Sequence, residues 1–146
     1  MATGTLIAES LAVPSSLGLP LTVSAIERVV AGDVSDAQRD AGVPQAWTLL
    51  HFAVDDALAP ELASALAGAL DRVGWYADLH SASESFVVFA ERVFRYARDD
   101  ADGRATAEAH ARAAGVPEAQ LDWPETRSGS CAVASQIRRA CLTIAW

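Results

Sequence analysis

The sequence predicts an α+β fold: an antiparallel or mixed sheet of five to six strands, with two main helices packed on one face, ferredoxin-like in part. Three observations predict it. Apolar segments of strand length outnumber helical ones, the helical segments fall between and after strands with short connections, and 51% of the 146 residues are apolar. A chain of this length can bury a substantial core within one domain.

The N-terminal third predicts two strands and a short helix. Thr5 to Leu11 has strand character, and Leu21 to Val30 alternates closely enough with period two to predict a strand with one wet face. Between Ser35 and Gly42, a capping serine, a glutamine three residues later and a closing glycine predict a short helix.

The middle of the chain predicts a buried strand followed by an amphipathic helix. Trp47 to Val54 is apolar on both faces, which is typical of a strand inside a sheet. Pro60 suits the first turn of a helix that we expect to end at Gly74. The stripe that faces the sheet repeats every four residues and consists of Leu58, Leu62, Leu66 and Leu70.

"WYADLHS" and "SFVVFAERVFRYA" predict three further strands, the last two as a hairpin that turns at residues 90–92. The turn contains no glycine, so we expect a longer turn or a strained residue. Both faces of the hairpin carry bulky side chains, and a helix, the C-terminal tail or another subunit must cover the second face. Asp102 then caps a helix that ends at Gly115, and a last turn completes a domain over residues 1–127.

A resemblance covers most of the chain and is strongest from Trp47 to Glu125. The "GWYAD" strand, the "SFVVFAERVFRY" hairpin, the "GRATAEA" helix and the closing "GVPEAQLDWP" are similar to motifs of a family of small, uncharacterised actinobacterial proteins. The resemblance implies a shared fold and no catalytic residues. Glu91 stands where a glycine is usual in that family, which puts the turn geometry in question.

Charge and motifs exclude several functional classes. The net charge of −8 disfavours nucleic acid and anionic membranes as partners. The N-terminus has no signal-peptide pattern, and two cysteines form no disulfide framework, so we expect a cytoplasmic protein. No glycine-rich phosphate loop or nucleophile-elbow motif occurs, and we expect no cofactor.

His51 is the leading catalytic candidate, because it lies within the apolar strand and its ring nitrogens need partners. Tyr96 and Glu84 are candidate assistants in acid–base chemistry; the alternative is a satisfied core histidine. A zinc site of His51, Asp78 and His80 is conceivable, but we expect no metal, with Asp78 and His80 on the wet side of their strand.

Four residues near the hairpin are candidate ligand contacts. Arg95 and Arg98 beside aromatic rings can hold a carboxylate or phosphate, and Tyr76 and Trp75 can line a pocket. The alternatives are ion pairs with nearby aspartates for the arginines and core packing for the aromatic rings.

The tail, residues 128–146, allows three interpretations. It can form an amphipathic helix that docks on the sheet or on a second copy, or it can be a non-functional extension. It can also be the core of a lanthipeptide-like precursor, modified at Ser128, Ser130, Cys131, Ser135 and Cys141.

Together these observations favour a cytoplasmic, non-catalytic module that binds a protein or small ligand and self-associates. The alternatives are an enzyme that uses His51 and the precursor peptide.

Overall fold

A computed structural model describes residues 1–32, 34–72, 74–121 and 123. The strands are β1 (Ala2–Ile7), β2 (Thr22–Val30), β3 (Ala46–Val54), β4 (Ala77–His80), β5 (Glu84–Phe89) and β6 (Arg92–Ala97). The helices are α1 (Asp36–Asp40), α2 (Ala59–Ala69) and α3 (Ala101–Ala113). The α+β class and the order of these elements are as the sequence predicts.

The six strands form one antiparallel sheet in the order β2-β3-β1-β4-β5-β6. β3 lies between β2 and β1, and its apolar side chains are divided between two core clusters, with Phe52 in one and Trp47 and Leu49 in the other. α2 connects β3 to β4, and β1 is inserted between those two strands. The wider ferredoxin-like packing is not confirmed.

One face of the sheet, here called face A, carries Phe52, Leu79, Phe86 and Val88. The leucine stripe of α2 packs on it, as predicted, with Leu62, Leu66 and Leu70 all buried. Since those leucines recur at helical spacing, the local sequence pattern is enough to orient this helix.

The opposite face, face B, carries Val87 and Phe89 of β5 and is covered near the hairpin by α3. Ala107 and Ala111 of α3 pack there with Trp123. The prediction that both main helices lie on one face is therefore wrong. The physical reason is the alternation of β5, which places apolar side chains on both faces and requires a cover on each side.

Several predicted boundaries shift by a few residues. β1 begins at Ala2, and the segment after Ile7 forms a 3-10 turn rather than continuing the strand. α2 ends at Ala69 instead of Gly74 because Leu70 turns to an extended conformation and bridges to Leu11.

The sequence identifies the N-terminal cap of α1 correctly and misplaces that of α3. Both bonds of the capping box between Ser35 and Gln38 are present, and Gly42 has a φ of +78°. α3 is capped by Asp100, which accepts a bond from the backbone of Gly103, and not by Asp102. Asp100 and Asp102 carry the same capping carboxylate, and the sequence alone does not show at which of them the helical backbone begins.

The hairpin turn is tight and contains a strained residue. Phe89 pairs with Arg92, which leaves Ala90 and Glu91 as the turn, and Glu91 has a φ of +62°. The prediction of a strained residue is confirmed, whereas the longer turn is not formed. A side chain in this left-handed region costs about 1–2 kcal/mol relative to right-handed backbone.

No helix among the described residues is long and apolar enough to cross a membrane. The predicted tail helix and the five modifiable residues of the tail lie outside the part of the chain that the structure describes.

Candidate functional site

A polar row crosses face B beside the apolar patch under α3. Thr5 of β1 lies directly opposite His51 of β3 on one side and Asp78 of β4 on the other. His80 of β4 lies opposite Ser85 of β5. Because opposite residues of antiparallel strands share a face, the insertion of β1 between β3 and β4 assembles this row from four strands.

The first part of the row is a hydrogen-bonded group around His51. Its Nδ1 is 3.1 Å from the Thr5 hydroxyl, and its Nε2 is 3.2 Å from a carboxylate oxygen of Glu27. The side chains of His51 and Glu27 keep 12% and 31% of their exposure. His51 is thus held by two side chains, at the margin of the solvent rather than inside the core.

The second part is a group of three buried side chains around His80. Its Nδ1 is 2.9 Å from the hydroxyl of Ser85, and its Nε2 is 2.9 Å from a carboxylate oxygen of Asp78. Asp78 and His80 are only 6% and 7% exposed, so the expectation that they lie on the wet side of β4 is wrong. Each buried polar group meets a partner here, as burial requires.

Two aromatic clusters flank the polar row on face B. Trp47 and Trp75 lie 5.3 Å apart between ring centroids on the β3 side. Tyr76 and Trp123 lie 5.2 Å apart on the side of α3. Trp75 and Tyr76 are 5% and 8% exposed, so both predicted ligand contacts pack mainly against these clusters.

Of the three predicted catalytic residues, Tyr96 shares face B with His51, whereas Glu84 does not. The Tyr96 hydroxyl accepts a 3.0 Å hydrogen bond from the indole of Trp123. Burial raises the pKa of this phenol, partly offset by that bond. Glu84 shares face A with Phe86, and its bidentate bond to Arg95 lowers the pKa of its carboxyl.

The two predicted arginine contacts do not converge on one ligand position. Arg95 is occupied by Glu84 and lies over the Phe86 ring on face A. Arg98 follows β6 and donates to the carbonyl of Ser81. The structure therefore spreads the predicted ligand contacts over both faces of the sheet.

In the described residues, no three histidine, cysteine, aspartate or glutamate side chains are grouped as metal ligands would be. His51 and His80 belong to strands that β1 separates, and each makes its own hydrogen bonds.

Sequence reasoning missed Ser85, Thr5 and Glu27 as members of the row. One signal was present: Ser85 is a polar residue that alternates with apolar ones in a strand whose faces are both buried. Such a residue needs a hydrogen-bonding partner on the neighbouring strand, although only the register reveals that the partner is His80.

Comparison of the chain with protein-family models, curated proteins and solved structures found no match. The resemblance to the actinobacterial family stays a prediction.

Proposed function

We propose that this protein is a cytoplasmic binding module that self-associates through the edge strand β2. The observation that carries the proposal is a row of exposed aliphatic side chains on that strand. Val23, Ile26 and Val30 are 49%, 65% and 71% exposed. The apolar face of the hairpin, which the sequence offered as the association surface, is covered by α3 instead.

The three aliphatic residues lie on one side of the sheet. They pair with Phe52, Leu50 and Ala46 of β3 and therefore belong to face A. α2 covers the centre of this face, but it packs chiefly on β4, β5 and β6, at a distance from β2 in the strand order. The exposure of these three aliphatic side chains to water contributes no stability to the monomer. Their burial against another surface is favourable by about 25 cal/mol per Å² of apolar area removed from water.

Among the described residues, no strand pairs with the outer edge of β2. It pairs with β3 on one side and stands at the end of the strand order, so the outer edge of its nine residues has no partner strand in the part of the chain that the structure describes. Natural proteins usually carry features on such edges that hinder pairing with another chain. In β2 the irregularity between Val23 and Ala25 is such a feature, and it affects only the start of the strand.

A second copy of β2 is the partner that fits this edge. Two copies related by a twofold axis pair antiparallel, which is the sense of every other pair in the sheet. The chain as a whole carries a charge of −8, yet the strand "TVSAIERVV" contains one acid, Glu27, and one base, Arg28. Self-pairing at β2 therefore brings together two segments without net charge, which adds no local repulsion to that between the two acidic chains.

Light scattering coupled to size exclusion tests the proposal. We expect the wild-type protein to have twice the monomer mass of 15.3 kDa, and Ile26→Lys to shift it to the monomer. Ser64→Lys, an exposed position on α2, is the matched control and keeps the dimer. A wild-type protein that stays monomeric at high concentration, or a dimer that Ile26→Lys leaves intact, would refute the proposal.

A further inference from the structure

The buried hydroxyl of Ser85 lies within hydrogen-bonding distance of a base, the imidazole of His80. It is 2% exposed, and its oxygen lies 2.9 Å from Nδ1 of His80. Ser10 offers a comparison, since it is also buried, but its hydroxyl donates to the backbone carbonyl of Ile7. A carbonyl cannot take up the proton of a serine, whereas a neutral imidazole can.

The partner of the other ring nitrogen determines which way the proton can move. Nε2 of His80 is 2.9 Å from Asp78, and a carboxylate accepts hydrogen bonds without donating any. The hydrogen of the neutral ring therefore lies on Nε2, and Nδ1 carries the free electron pair. Ser85 must then donate to Nδ1, which is the arrangement of a serine activated by a general base.

The surroundings strengthen this arrangement and restrict what can reach it. All three side chains are buried, so the attraction between Asp78 and a protonated His80 is weakly screened. Thr3, directly opposite His80 on β1, is exposed, so solvent lies beside the His80 end of this group. Because Ser85 itself is 2% exposed, only a small reactant can reach its hydroxyl.

We propose that Ser85 is an activated nucleophile that accepts a small acyl group from an ester or thioester. The serine oxygen forms a bond to the acyl carbon while its proton passes to Nδ1 of His80. The bond between the acyl carbon and the leaving oxygen or sulfur breaks, and His80 returns the proton to the leaving group. Asp78 acts as a positioning residue that holds the imidazole in the reactive tautomer.

This inference goes beyond the proposed self-association and does not rest on it. β2 contributes no residue to the Asp78–His80–Ser85 group. A monomeric protein with a reactive Ser85 and a dimer with an inert one are therefore distinguishable results.

The test uses p-nitrophenyl acetate as the probe and intact-mass spectrometry of the full chain as the readout. We expect one acetyl group per chain, located by peptide mapping on Ser85. Ser85→Ala abolishes this adduct, and Ser83→Ala, an exposed serine two residues away, leaves it unchanged. His80→Gln slows acetylation by about 100-fold or more, because general-base assistance contributes that much.

Wild-type protein alone also decides the question if a variant fails to fold. Imidazole ¹⁵N shifts of His80 are expected to show a protonated Nε2 and a bare Nδ1. An adduct on other residues with none on Ser85, or a proton on Nδ1 of the neutral ring, overturns the proposal.

Discussion

Leu66→Ala tests the packing of α2 on face A and allows the most direct estimate of a magnitude. Leu66 is 1% exposed and belongs to the cluster that joins α2 to the centre of the sheet. The change removes three carbon groups, and at about 0.8 kcal/mol for each group the lost burial amounts to about 2.4 kcal/mol.

The cavity that remains adds to this cost, since neighbouring side chains relax only in part. The total expected loss in the free energy of unfolding is therefore about 2–5 kcal/mol. That is a large share of the roughly 5–15 kcal/mol by which a domain is usually stable.

Urea denaturation followed by circular dichroism measures the loss, with the slope of the transition checked for constancy. Ser64→Ala, on the exposed side of the same helix, is the control and is expected to change stability by less than about 0.5 kcal/mol. A loss below about 0.5 kcal/mol for Leu66→Ala would show that this side of α2 does not pack on the sheet.

Two further predictions concern the turn and His110. Glu91→Gly relieves about 1–2 kcal/mol of left-handed strain, but it adds about 0.4–1 kcal/mol of chain entropy to the unfolded state. It also removes the exposed ion pair with Arg72, worth about 0–1 kcal/mol. These three terms sum to between a loss of about 1 kcal/mol and a gain of about 1.6 kcal/mol. Thermal denaturation should therefore show Glu91→Gly to be more stable than Ala90→Gly, which relieves no strain and should lose about 0.4–1 kcal/mol; equal losses in both would contradict the interpretation. Burial, and then the charge of Arg92, lower the pKa of His110, so the unfolded chain takes up its proton first as the pH falls below about 6.5. The wild type should therefore lose stability in that range relative to His110→Gln, and parallel pH profiles of the two in denaturant titrations would refute this.

The properties that neighbouring residues control could be predicted from the sequence. The leucine period orients α2 and the capping box begins α1. A turn without glycine predicted either a longer turn or a strained residue, and the structure has the strained residue at Glu91. These features depend on contacts a few residues apart, and the sequence displays those contacts directly.

The candidate site, in contrast, depends on contacts between residues that lie far apart in the sequence. His51 could be suspected because a polar ring in an apolar strand needs partners, yet its partners Thr5 and Glu27 lie 46 and 24 residues away. The pairing of His80 with Ser85 likewise requires the register of β4 and β5.

The sequence by itself therefore determined the order and type of the elements and the apolar side of α2. Only the tertiary structure decided that α3 covers face B, that β2 is left at the edge, and that Asp78 and His80 are buried. The physical reason is that these outcomes depend on which strands lie side by side and on which element covers each face, and both involve residues far apart in the chain. Strand order is set by the burial of the whole sheet, and no single segment carries that information.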